Sequence, residues 1–142
     1  MVVYLDTSSL VKLYVEEEDS PSIAALVRSS RVTATSLIAY TEARAAFARR
    51  FRENAFTPDE YRHLISVFDK DWENYLIVRV TKELVRLAGN LTEKHGLRAF
   101  DAIHLSSAII LRAEISGPLI FSCSDRRLQK ASKAEDLDQP EQ

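Results

Sequence analysis

The chain starts on Val2-Val3-Tyr4-Leu5, an apolar run of four residues that breaks on a carboxylate, Asp6. A short run without polar alternation marks a strand buried on both faces, as in parallel sheets covered by helices on each side. Similar short runs recur at Val32–Thr35, Leu76–Val80 and Leu119–Ser122. Helix-like segments separate them. That alternation argues for an α/β sandwich around a mostly parallel sheet. In such sheets ligands gather at the carboxyl ends of the strands, near a switch in strand order. Asp6 closes the first strand and is therefore expected at the ligand edge.

The helical segments carry their own punctuation. Ser8 to Val15 can form a short helix. Pro21 fits a first helical turn after Asp19 or Ser20, giving a helix over Ser22–Ser29. Leu37–Glu53 places Ala43, Ala46, Phe47 and Phe51 toward a core. Thr57-Pro58-Asp59-Glu60 has the form of a capping box, and Tyr61, Leu64, Ile65 and Phe68 follow at helical spacing. Lys82–His95 is stopped by Gly96, and Ala99–Glu114 is a further helix. Gly117-Pro118 turns the chain into the last strand, and Arg126–Ala131 is a short closing helix. This predicts one domain over residues 1–131 and a polar tail over 132–142 that is expected to fray.

The 142 residues suffice for one domain with a core. The formal charge of −2, from 19 basic and 21 acidic residues, does not advertise a large basic face for duplex binding. The single cysteine, Cys123, excludes an internal disulfide and fits a reducing compartment. No basic leader precedes the first strand, and no stretch approaches the roughly 18 apolar residues of a membrane span. A cytoplasmic protein without membrane contact is the expectation.

Four carboxylates sit in unusual company. Asp6 and Asp125 follow strands. Asp101 lies in the first turn of the nearly apolar "LRAFDAIHLSSAIIL", and Glu42 in a helix rich in alanine and aromatics. Each has an ordinary reading. Asp6 and Asp125 could cap helices, Asp101 could answer a helix dipole, and Glu42 could pair with Arg49. Brought together they would repel, unless divalent cations offset the charge. Hard oxygen ligands without a Cys or His cluster favour Mg²⁺ or Mn²⁺ over zinc. Such ions activate water and stabilise charge on a phosphoryl group, which is the chemistry a nuclease needs.

On these residues the chain resembles the PIN-domain family, and most of all a VapC-type toxin ribonuclease. The matching stretches are "YLDTSSLVKLY" at Tyr4–Tyr14, "TEARAAF" at Thr41–Phe47, "LRAFDAIHLSSA" at Leu97–Ala108 and "FSCSDRRLQKAS" at Phe121–Ser132. The resemblance implies a three-layer α/β/α sandwich with a parallel sheet of about five strands. It also implies metal-dependent cleavage of single-stranded RNA, leaving a 5′-phosphate and a 3′-hydroxyl, by the toxin of a toxin–antitoxin pair. Asp6, Glu42, Asp101 and Asp125 would then be the catalytic and metal-binding acids for Mg²⁺ or Mn²⁺. A cognate antitoxin and a homodimer are implied as well, with helix faces around Phe56–Trp72 as a candidate contact. Cys123 stands where many relatives carry Thr or Ser, and a thiol is a weak hydrogen-bond partner.

Ser8, Lys12, Arg98 and Ser124 are expected to support the acids or touch the substrate. Lys12 could meet a phosphate or simply face solvent. Arg126, Arg127, Lys130 and Lys133 could flank the acids and hold RNA backbone, or form a solvated helix face. His104 is read as a hydrogen-bonded core histidine rather than a ligand. Two other functions stay open. The Cys123 departure leaves room for a non-catalytic PIN-like binding module. A haloacid-dehalogenase-type phosphatase also ends its first strand on Asp, but usually needs a second acid two residues on, where Ser8 stands.

Overall fold

The computed structural model describes residues 1–141; Gln142, the end of the expected tail, lies outside them. Among the described residues four strands form one sheet: β1 (Val2–Leu5), β2 (Val32–Ser36), β3 (Leu76–Val78) and β4 (Leu119–Ser122). Their order is β3-β2-β1-β4, and all three pairings are parallel. The resemblance implied about five strands. Beyond β4 the chain adds only a single parallel bridge, Ile120 with Asp138, too short to count as a strand.

Among the described residues seven helices cover the two faces: α1 (Thr7–Val11), α2 (Ser20–Ser29), α3 (Ala39–Arg52), α4 (Pro58–Trp72), α5 (Lys82–His95), α6 (Ala99–Glu114) and α7 (Arg126–Ala134). The period-2 alternation of β1 divides the core between them. Val2 and Tyr4 point into one cluster with Leu91, Leu105, Phe121 and Leu128, beneath α5, α6 and α7. Val3 and Leu5 point into the other with Leu10, Ile23, Phe47 and Phe68, beneath α1 to α4. Burial on both sides explains why the first run shows no polar alternation.

The capping box at Thr57 forms as the sequence predicts. Its hydroxyl accepts from the Glu60 N–H, and the Glu60 carboxylate accepts from the Thr57 N–H. Gly96 ends α5 in the left-handed region at φ 65°, where a Cβ would be strained. The apolar residues of Phe56–Trp72 are half-buried or buried against the second core cluster. Phe56, Tyr61, Leu64, Ile65 and Trp72 pack inward, and the large apolar residues left exposed are Leu37, Leu76, Val85 and Phe100.

The chain end also differs from expectation. α7 runs three residues beyond Ala131, and Ser132 and Leu137 are buried. The Phe121 N–H donates to the Asp138 carbonyl at 2.9 Å, so the segment is held by backbone pairing and one buried leucine despite its polar composition. No helix among the described residues is long and apolar enough to cross a membrane.

Candidate active site

All four strands run the same way, so their carboxyl ends share one edge. From β1 the chain reaches β2 on one side, while β4 lies on the other. The switch point is therefore the gap between the ends of β1 and β4. The Asp6 N–H donates to the Ser122 carbonyl at 3.1 Å, tying the two ends together. A cleft of about 360 Å³ opens there, lined by Asp6, Thr7, Ser8, Glu42, Arg98, Asp101, His104, Ser124 and Asp125. The four acids that the sequence singles out thus face one space, although they come from four separate parts of the chain.

Two of them also perform the capping role that was their ordinary alternative. Asp6 caps α1: its Oδ1 accepts from the Ser9 N–H at 2.9 Å and from the Ser8 hydroxyl at 2.7 Å. Asp125 caps α7 through Oδ2, which accepts from the Leu128 N–H at 2.9 Å. Among the described residues neither carboxylate's other oxygen is engaged, so capping orients each acid and leaves one oxygen for the cleft. Asp125 is held this way without help from position 123. The Cys123 thiol makes only a long contact, 3.9 Å, to the Asp125 carbonyl.

Glu42 is not paired with Arg49, which instead meets Glu53 at 3.5 Å. It accepts at Oε1 from the Thr7 hydroxyl at 2.5 Å and from His104 Nε2 at 3.0 Å. With the Thr7 proton spent on Glu42, the 3.0 Å contact between Thr7 Oγ1 and His104 Nε2 requires a proton on Nε2. His104 Nδ1 is in hydrogen-bond contact with the buried Tyr4 hydroxyl at 2.8 Å. His104 is a buried, fully engaged histidine, as the sequence suggests, but it also aims an acid. Thr7 was missed altogether. Its signal is its place directly after the strand-ending Asp6, where the first helical turn points its hydroxyl across the cleft.

Asp101 is gripped by Arg98 Nε at 3.1 Å. Lys12 does not face solvent. It is 9% exposed, pairs with Asp19 at 2.8 Å and also donates to the Ser124 hydroxyl. Ser8, Arg98 and Ser124 line the cleft, and Lys12 supports it from behind.

The electrostatics follow from burial and neighbours. Burial pushes the Asp6 carboxyl above its ordinary range, and Asp101 adds to the rise; His104 and the bonds from Ser9 and Ser8 oppose it. For Glu42 burial also raises the carboxyl, but the bonds from His104 and Thr7 together outweigh it, so the net direction is down. Burial, with Asp6, Asp125 and Asp101 nearby, pushes the Cys123 thiol far up and keeps it protonated. A thiol nucleophile is thereby disfavoured.

Among the described residues no three His, Cys, Asp or Glu side chains close into a ready-made ion cage. Each acid is instead pinned by its own protein donor, which is how like charges tolerate a shared cleft without a cation. The donor set is nonetheless oxygen-only where the cleft is open, since both His104 nitrogens are engaged. That chemistry fits a hard divalent cation, which would compete with Arg98 for Asp101.

Comparison with known proteins agrees with this layout. The family model for the PIN domain matches residues 3–134. Ribonuclease VapC45 of Mycobacterium tuberculosis (strain CDC 1551 / Oshkosh) is 33% identical over 138 residues, covering 94% of this chain and 90% of the relative. Among solved structures, FitAcB from Neisseria gonorrhoeae superimposes with a TM-score of 0.68 at 14% identity, covering 98% and 96% of the two chains. VapBC2 from Rickettsia felis, bound to a DNA fragment from its promoter, gives 0.65 at 15% identity, covering 98% and 97%.

Proposed function

The chain belongs to the PIN-domain family, and from that premise we propose that it is a VapC-type toxin ribonuclease whose cleavage of single-stranded RNA depends on Mg²⁺ or Mn²⁺. The observation that carries this reading is the convergence of Asp6, Glu42, Asp101 and Asp125 on one cleft at the switch point of the sheet. These four would hold the metal. When bound, the cation supplies charge neutralisation at the phosphodiester and a water of lowered pKa.

The chain's own residues prepare that centre. Thr7 and His104 keep Glu42 ionised and aimed. Ser8 and the first turn of α1 orient Asp6. Burial at the base of the cleft strips Asp6 of solvent, so its negative charge is poorly screened and attracts a cation strongly. Arg98 at the rim is exposed and, were Asp101 to hold the metal, would be free to meet a substrate phosphate. A further structural neighbour, at a TM-score of 0.59, is a toxin–antitoxin complex from Klebsiella pneumoniae, and the same kind of partner is proposed here. A basic side chain of an antitoxin entering the cleft would compete with the metal for these carboxylates.

The test is cleavage of a labelled RNA with single-stranded loops, with Mn²⁺ or Mg²⁺ and with a chelator. Wild-type protein should cut only with metal, and Asp6→Asn should not cut. Equal cleavage by the two proteins would show that this cleft is not the active centre.

A further inference from the structure

The acidic cleft continues past Asp101 and Asp125. Together with Arg98, these two residues also line a neighbouring space of about 520 Å³, walled by Arg126 and Arg127. Arg126 and Arg127 then wall a third space, of about 470 Å³, with Lys94, His95 and Lys130. Shared walls place the three side by side, from the carboxylates, around the start of α7, to the end of α5. We propose that this basic extension seats the phosphodiester backbone of single-stranded RNA as it leaves the cleavage cleft, with Arg126 and Lys130 as its main contacts. The proposal rests on the ribonuclease reading and adds to it the path of the substrate.

The charge balance is local and opposite to that of the chain, which is −2 overall. Glu135 reaches the far end of the path, where its Oε2 accepts from Lys94 at 2.8 Å and from His95 at 2.7 Å. Arg127 donates to the Gly96 carbonyl at 3.0 Å. That bond fixes the two walls against each other and leaves the guanidinium charge uncompensated. Arg126 and Lys130 are exposed, and among the described residues they pair with no carboxylate.

A merely solvated helix face would intersperse acids with its bases. α7 (RRLQKASKA) has none, and it places two arginines in its first turn, against the helix dipole. Arg126 and Lys130 are four apart, so they neighbour each other on one face, about 5–6 Å between Cβ atoms. That is the order of separation of successive phosphates on one strand. Each phosphate neutralised there would release condensed counterions.

The experiment measures binding of a short, unstructured, fluorescently labelled RNA in chelator, from about 50 to about 200 mM salt. The double variant Arg126→Ala/Lys130→Ala is compared with wild type. The control is Arg62→Ala/Lys70→Ala on α4, in the opposite layer, which makes the same change of net charge. The α7 variant should bind about 5- to 10-fold more weakly at the low-salt end. Its log–log salt slope should be shallower by about 1.4, for two phosphates at roughly 0.7 each. With metal, KM should rise and kcat should hold.

Unchanged affinity and slope would overturn the path, as would an equal loss in the α4 control, which would mean only a long-range charge effect. Poly-glutamate competing as well as RNA would assign the extension to an acidic protein instead. If the wild-type chain fails to bind RNA at all, the ribonuclease reading itself falls. Intact binding and cleavage in the α7 variant would remove only the path.

Discussion

Thr7→Val is the sharpest probe of the site, because it deletes one hydroxyl and keeps the side-chain shape. The Thr7 hydroxyl donates to Glu42 Oε1 at 2.5 Å. A hydrogen bond to an ionised group contributes about 1.5–3 kcal/mol. The Glu42 side chain is 26% exposed, so water can partly replace the lost donor. The expected loss of stability at pH 7 is therefore at the low end, roughly 1–1.5 kcal/mol. The sign with pH follows from linkage. Glu42 is held below its ordinary value of 4.5, its bonds from His104 and Thr7 outweighing burial. Its contribution is present above the unfolded value and is lost as pH falls through the folded one. Urea unfolding at pH 7 should show the full gap between wild type and variant. The gap should shrink as pH falls below about 4.5 and Glu42 protonates. An equal gap at pH 7 and at the acid end would mean that Thr7 acts by packing and not through the Glu42 charge.

Asp6→Asn should be more stable than wild type at pH 7 as well as inactive, because burial holds the Asp6 carboxyl above its ordinary range and Asn can still accept from Ser8 and Ser9. By the same linkage the gain should vanish at low pH, where wild-type Asp6 is protonated; thermal unfolding against pH reads it, and a gain that persists in acid would refute the cause. Phe68 is fully buried with ring centroids of Tyr14, Tyr40, Phe47 and Trp72 all within 6 Å. Phe68→Ala should cost about 3–5 kcal/mol in urea unfolding, and a loss under 1 kcal/mol would show that the aromatic cluster repacks.

The parts legible in the sequence are those governed by local chemistry. The uninterrupted apolar run of β1, the Thr57 capping box and the Gly96 stop each follow from a few adjacent residues. The four acids stood out because each follows a strand or interrupts a helix that is otherwise apolar or rich in alanine and aromatics. The rest depended on contacts between distant positions. Nothing local says that Lys12 is buried, since its burial depends on Asp19 and on Ser124 more than a hundred residues away. The aiming of Glu42 likewise needs Thr7 and His104, which are separated by 97 positions. The held chain end was missed because composition reports polarity, whereas a single buried Leu137 and one backbone bond to Phe121 decide the outcome.

Lys12 and Arg98 are two cations at the site, and they are held in different ways. A buried cation costs several kcal/mol unless it is paired, and here Asp19 and Ser124 satisfy it. The bond from Lys12 to the Ser124 hydroxyl ties it to the cleft wall, and its charge opposes the rise that burial, Asp6, Asp125 and Asp101 impose on the Cys123 thiol. Lys12 is matched by Asp19, whereas Arg98 offsets the charge of Asp101 directly, at the rim. The two cations differ in how easily they can leave. Lys12 is enclosed and stays; Arg98 is 79% exposed and can move. A cleft in which an exposed arginine offsets one of four carboxylates keeps a deficit of positive charge that a metal ion or a partner's basic side chain could fill.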